Sequence, residues 1–139
     1  MYITTDSCTN CKICYGACPT NAIKEVSGQP FSCTTCGVCV EVCPTGALLR
    51  GKYLGVHVDK SRCTRCGLCV KFCPYGFPKL PDRSKAKGFC ARCAVCEKVC
   101  PVSARVDLFG LVKRPPKLKE ELLALRDPEN LRKLTEEAR

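Results

Sequence analysis

The sequence contains no tryptophan, a single histidine (His57), and aromatics limited to four Tyr and five Phe in 139 residues. Aromatic side chains supply the largest buried areas, so an ordinary large hydrophobic core is not expected. No apolar run approaches the roughly 18 residues of a membrane-spanning helix. Residues Met1 to Asp6 lack both a basic start and an apolar stretch, which predicts a cytoplasmic chain. Neither a glycine-rich dinucleotide fingerprint nor a P-loop is present, and no pair of side chains suggests acid–base or nucleophilic catalysis. No catalytic residue is expected.

What the chain has is cysteine. Its sixteen cysteines form four copies of C-x2-C-x2-C-x3-C-P with none left over. The copies are Cys8-Cys11-Cys14-Cys18-Pro19, Cys33-Cys36-Cys39-Cys43-Pro44, Cys63-Cys66-Cys69-Cys73-Pro74 and Cys90-Cys93-Cys96-Cys100-Pro101. In a short secreted chain such density would suggest disulfides. Cysteines three apart, repeated in fours, suit a metal far better than cross-links.

The spacing is that of bacterial-type [4Fe–4S] ligation. Cysteines at i, i+3 and i+6 let a tight loop hold three corners of one cube, and the fourth, ahead of the proline, serves a partner cluster. Gly37 and Gly67, directly after the second cysteine, suit the dihedrals such a loop needs. Structural zinc usually takes paired C-x2-C knuckles, without the third thiol or the trailing proline. All sixteen cysteines are therefore candidate iron ligands, enough for four [4Fe–4S] clusters. Every motif is complete, so neither a [3Fe–4S] centre nor an open iron position is expected. That pattern points to one-electron transfer rather than chemistry at a cluster. The clusters would stand in for the missing core, and removing them should remove the fold.

The formal charge of +10 counts the thiols as neutral. An oxidised [4Fe–4S] core with four thiolates carries a net charge of about −2, so four such sites bring the chain to about +2. The apparent basicity is weak evidence for nucleic acid, and no nucleic-acid partner is expected.

The motifs begin at Cys8, Cys33, Cys63 and Cys90, an internal repeat with steps of 25, 30 and 27 residues. The longest spacer holds Ala47 to Asp59, which reads as two short strands around a Gly51-Lys52 turn. Tyr2-Ile3-Thr4 reads as a strand flanking the first motif. Lys113-Arg114-Pro115-Pro116 marks a linker, because neither proline donates a backbone hydrogen bond. Beyond it, Lys117 to Arg126 and Pro128 to Ala138 read as helices, the second with Asp127 as N-cap and proline at its first position. Two domains follow: a four-cluster polyferredoxin domain over 1–112 and a Pro-linked helical tail over 113–139. The tail leucines 118, 122, 125, 131 and 134 could pack on the chain's own body or dock a partner subunit.

Cys33 to Ala47, Val56 to Asp59, Cys63 to Cys69 and Cys73-Pro74-Tyr75-Gly76-Phe77-Pro78 resemble the four-cluster electron-transfer subunits of molybdenum and tungsten oxidoreductases. That family includes the iron–sulfur subunits of formate dehydrogenase and dimethyl sulfoxide reductase. The short form is similar to polyferredoxin subunits of tungsten aldehyde oxidoreductases. The resemblance runs from Cys8 to about Ala104. Spacing alone permits tandem pairing of motifs (first with second, third with fourth) or nested pairing (first with fourth, second with third). The resemblance implies nested pairing. One site would take Cys8, Cys11, Cys14 and Cys100, and a second Cys33, Cys36, Cys39 and Cys73. A third would take Cys63, Cys66, Cys69 and Cys43, and a fourth Cys90, Cys93, Cys96 and Cys18. This chain departs from the family in its shorter loops, its uninserted fourth motif and the missing C-terminal membrane helix.

The expected fold is α+β and ferredoxin-like, with two pseudo-symmetric two-cluster halves, short antiparallel hairpins and a helical C-terminal extension. The expected role is an electron-transfer subunit between a catalytic oxidoreductase subunit and a second electron donor or acceptor. A hydrogenase or other redox-complex subunit, or a freely diffusing polyferredoxin, is the alternative. His57 reads as a solvated strand residue. Lys12, Arg62, Arg65 and Arg92, within or beside the cluster loops, read equally as charges that raise a neighbouring potential or as a solvated rim, and Tyr53, Phe72 and Tyr75 as shields against water.

Overall fold

The computed structural model describes residues 2–51, 54–108 and 118–138. Each motif folds in the same way. A loop carries the first two cysteines, a five-residue helix carries the third, and the fourth caps that helix in extended conformation. These helices are α1 (Ile13–Ala17), α2 (Val38–Val42), α3 (Leu68–Phe72) and α4 (Val95–Val99). Helices this short are unstable alone. Here they are held at both ends by cysteine positions.

The strands are β1 (Tyr2–Thr4), β2 (Ile23–Val26), β3 (Gln29–Ser32), β4 (Leu48–Arg50), β5 (Val56–Val58) and β6 (Arg105–Asp107). They make three two-stranded antiparallel sheets: β1 with β6, β2 with β3, and β4 with β5. The β4–β5 hairpin lies in the spacer where two strands were expected, although Lys52 and Tyr53 of its turn fall outside the described residues. The β2–β3 hairpin was not anticipated. Its signal is Ser27-Gly28, which turn with φ of 52° and 80°, the double positive φ that two-residue hairpins favour. The expected strand Tyr2-Ile3-Thr4 exists, but its partner lies at the far end of the chain, with Tyr2 opposite Asp107 and Thr4 opposite Arg105.

Helix α1 packs against α4, and α2 against α3. The architecture is thus a small mixed α and β fold with short antiparallel strand pairs. Two further helices follow, α5 (Leu118–Ala124) and α6 (Pro128–Ala138). Asp127 caps α6 as expected, its carboxylate accepting from the Glu129 N–H at 3.0 Å. The Lys113 to Pro116 linker falls outside the described residues. No described helix is long and apolar enough to cross a membrane.

Leu122, Leu125, Leu131 and Leu134 of the tail pack inward. Leu122 and Leu125 have 0% exposure, and with Leu131 and Leu134 they cluster on Ile3, Cys36 and Leu108. The Tyr75 hydroxyl donates to the Leu125 carbonyl, and Arg126 pairs with Glu41. Of the two readings of these leucines, the chain's own body is where they sit.

Candidate metal centres

The backbone of every motif turns through the left-handed region at the same three places. The residue before the second cysteine does so in all four copies: Asn10, Thr35, Arg65 and Arg92, with φ of 57–60°. The residue after it follows suit: Lys12, Gly37, Gly67 and Ala94, with φ of 65–85°. The third place lies three residues beyond the last cysteine, at Asn21, Gly46, Gly76 and Ser103. Glycine is free there, whereas an L side chain costs about 1–2 kcal/mol. Eight of these twelve residues are not glycine. Strain of this size, repeated in register, persists where the surroundings fix the geometry.

The turns aim backbone N–H groups at sulfur. Asn10 N–H lies 3.4 Å from Cys8 Sγ, and Thr35 N–H 3.4 Å from Cys33 Sγ. Ala22 and Ala104 N–H groups reach Cys18 and Cys100 Sγ at 3.3 Å. Such donors stabilise sulfur as thiolate and raise cluster potentials.

The sixteen cysteines line four cavities of similar size, about 300–350 Å³. Cavity I is walled by Cys8, Cys11, Cys14 and Cys100. Cavity II has Cys33, Cys36, Cys39 and Cys73. Cavity III has Cys43, Cys63, Cys66 and Cys69, and cavity IV has Cys18, Cys90, Cys93 and Cys96. Among the described residues no three His, Cys, Asp or Glu side chains converge on a point where one ion could sit. Zinc requires four donors about 2.0–2.3 Å from a single centre. Thiols spread around a cavity, each loop donating N–H groups inward, fit a multi-atom iron–sulfur cluster better.

Electrostatics agree with that donor set. Burial pushes the thiols of Cys14, Cys39, Cys69, Cys90 and Cys96 upward, and burial with the neighbouring Cys90 pushes Cys33 up to about 12. Such thiols hold their protons until a metal displaces them. At Cys43 and Cys100 the burial penalty is outweighed, by Thr45 and loop N–H groups at the first and by loop N–H groups and Arg105 at the second.

Two arginines missed by sequence reasoning lie beside the cysteines. Arg105, 1% exposed, donates to Thr4 Oγ1 (2.7 Å), to the Pro30 carbonyl (3.3 Å) and to Ser32. It also reaches Cys96 Sγ at 3.9 Å and lines cavity I, so one buried guanidinium sits between cavities I and IV. Arg50 donates to the carbonyls of Thr35 (2.6 Å) and Leu54 (2.8 Å) in the loop of cavity II. Neither stands inside a cysteine motif, which is why the motif-centred reading passed over them.

The expected rim residues divide. Arg92 pairs with Asp107 at 2.6 Å, Arg62 pairs with Asp59, and Arg65 donates to the carbonyls of Ser84 and Pro81. Lys12 is exposed. Tyr75 stacks with Phe31 and Phe77, the last lining cavity II, whereas Phe72 is 49% exposed and shields nothing. Tyr53 falls outside the described residues. His57 is exposed on β5.

The cavities differ in shelter. The second cysteine is exposed in three of them, at Cys11, Cys66 and Cys93. Its counterpart in cavity II, Cys36, is 6% exposed and lies under the tail leucines.

Two separate models of a 4Fe-4S dicluster domain match the chain, over residues 1–44 and 32–77, and a 4Fe-4S binding domain matches over 88–103. The match over 32–77 spans the two motifs whose helices α2 and α3 pack together. The match over 1–44 spans motifs that lie in different cavities, because it follows sequence order and not contact. No curated protein matches the chain. Matches across three parts of its length, each over cysteine motifs, indicate a ferredoxin-type iron–sulfur protein.

Proposed function

We propose that the chain holds four [4Fe–4S] clusters, one per cavity, as the electron-transfer subunit between a catalytic tungsten- or molybdenum-pterin oxidoreductase subunit and a second redox partner. The main support is that each cavity gathers three cysteines of one motif and the last cysteine of another. They coincide with the ligand sets that the resemblance implies, and the proposal takes them as two pseudo-symmetric halves. When bound, each cluster supplies a one-electron couple. The chain's residues supply the thiolates, the N–H donors around them, the charges of buried Arg105 and half-buried Arg50, and the tail that covers Cys36. The tungsten or molybdenum context rests on the resemblance alone.

Anaerobically purified protein should hold about sixteen iron and about sixteen sulfide per chain. About four zinc per chain would overturn the reading. Pairing is tested by Cys73→Ser followed by alkylation and mass spectrometry. Nested ligation frees Cys33, Cys36 and Cys39 for labelling, and tandem ligation frees Cys90, Cys93 and Cys96. The enzyme context is tested by recovering the tagged chain from its native host with a tungsten- or molybdenum-bearing subunit.

A second reading is a freely diffusing polyferredoxin. It is favoured by one observation: the tail leucines that could have docked a partner are buried on the chain itself. Deleting residues 115–139 decides here. Unimpaired complex assembly supports the free carrier, and lost assembly supports the subunit.

A further inference from the structure

One large concavity belongs to none of the four cysteine sites. It is an open groove of about 640 Å³ between β5, the turn after Cys18 and the segment 83–89. Its rim carries Lys60, Arg83, Lys85 and Lys87, and no carboxylate among the described residues lines it. Lys60, Arg83 and Lys87 are exposed, and none of the four cations makes an ion pair among the described residues. Elsewhere some arginines pair with carboxylates, as at Arg92–Asp107 and Arg126–Glu41. Four unpaired cations around one concavity therefore form a local positive field, which low-dielectric walls focus.

The floor of the groove gives that field a purpose. Its residues double as walls of three cysteine cavities: Val56 and Phe89 of cavity II, Ala86 of cavity III, and Pro19 and Thr20 of cavity IV. A partner seated there stands a single side chain away from each. The occupant is argued from charge and position: a rim of four cations with no lining carboxylate among the described residues suits an acidic surface, and walls shared with three cysteine cavities suit an electron carrier among acidic partners.

We propose that this groove is the docking site of an acidic one-electron carrier protein. The proposal rests on the electron-transfer reading above and names its partner class. In the step concerned, the reduced carrier loses one electron and the chain gains it, with no bond made or broken.

The test uses the cluster-loaded full chain and reduced acidic flavodoxin as probe, mixed anaerobically in a stopped-flow instrument. K60E/R83E/K87E is compared with K71E/K98E/K133E, which reverses three exposed lysines elsewhere and has the same net charge. At about 0.02 M salt the groove variant should reduce about tenfold more slowly than the control, and the difference should close at about 0.5 M. Equal rates in the two variants would overturn the proposal. So would unchanged docking kinetics with shifted reduction potentials, because the cations would then merely offset cluster charge. Retention of a DNA duplex at about 0.2 M salt, lost in the groove variant, would reassign the groove to phosphate. Iron and sulfide contents and reduction by dithionite are measured in parallel; their failure in the wild type strikes the electron-transfer reading, whereas a groove-specific rate loss cannot come from that failure. Should the triple reversal lose clusters, K60Q/R83Q/K87Q replaces it, with a smaller slowing of the same salt dependence expected and equality with the control again overturning the idea.

Discussion

The tail decides how sheltered cavity II is, and two leucines test it. Leu122 and Leu125 have 0% exposure and sit in one cluster with Cys36. Truncating a fully buried leucine to alanine costs about 2–5 kcal/mol. For L122A/L125A the smaller sum, about 4 kcal/mol, shifts the tail's docking equilibrium by roughly a thousandfold. That exceeds what the Tyr75 hydroxyl bond, worth about 0.5–1.5 kcal/mol, or the exposed Arg126–Glu41 pair can restore. The assay is iron release to a ferrous chelator in cluster-loaded protein. Wild type should release about three quarters of its iron from the three cavities with an exposed cysteine, then about a quarter slowly from cavity II. The double variant should release all of it in one fast phase, and a protease should trim its tail. A slow quarter that persists after the tail has been trimmed would refute the claim that the tail shelters Cys36. A single phase in wild type would refute the ranking of the cavities by exposure.

Two other substitutions test the buried charge and the loop strain. Arg105→Met removes the guanidinium that donates to Thr4, Ser32 and the Pro30 carbonyl, the last of which keeps the Thr4 hydroxyl as donor, so anaerobic denaturation should show a loss of about 3–5 kcal/mol. With a positive charge removed beside Cys96, film voltammetry should show the potentials of cavities I and IV falling by tens of millivolts, up to roughly 100 mV; unmoved potentials would make Arg105 structural only. Ala94→Gly should stabilise, because φ of 65° costs alanine about 1–2 kcal/mol and glycine nothing, against a larger unfolded-state entropy. The expected net gain is about 0.5–1 kcal/mol, read as a rise in the temperature at which the cluster absorbance bleaches, and a fall would show that the left-handed turn is not strained.

The parts of the molecule that were legible in the sequence are those that short-range chemistry dictates. The thiol spacing announces the loops. Gly37 and Gly67 announce the left-handed turn, and it recurs at Lys12 and Ala94, where the residue itself gives no such sign. Asp127-Pro128 announces the start of α6. The β4–β5 hairpin was readable from its two apolar runs, and β2–β3 could have been read from Ser27-Gly28.

What was not legible depends on residues far apart in the chain. Arg105 is an unremarkable cation after a proline until β6 meets β1. Only then do Thr4 and Ser32, 101 and 73 residues away, close around its guanidinium. The basic groove has the same origin: Lys60 and Arg83 through Lys87 look like solvated charge until the turn after Cys18 comes alongside, where the Gly88 N–H donates to the Thr20 carbonyl at 3.0 Å. The tail leucines read equally as core or as docking face, because helical spacing reports which side is apolar and not what covers it. In each case the deciding contact joins the two ends or opposite spacers of a repeat. The repeat fixes what each loop can hold, and the crossing of its ends fixes which thiols share a cavity and where unpaired charge is left facing solvent.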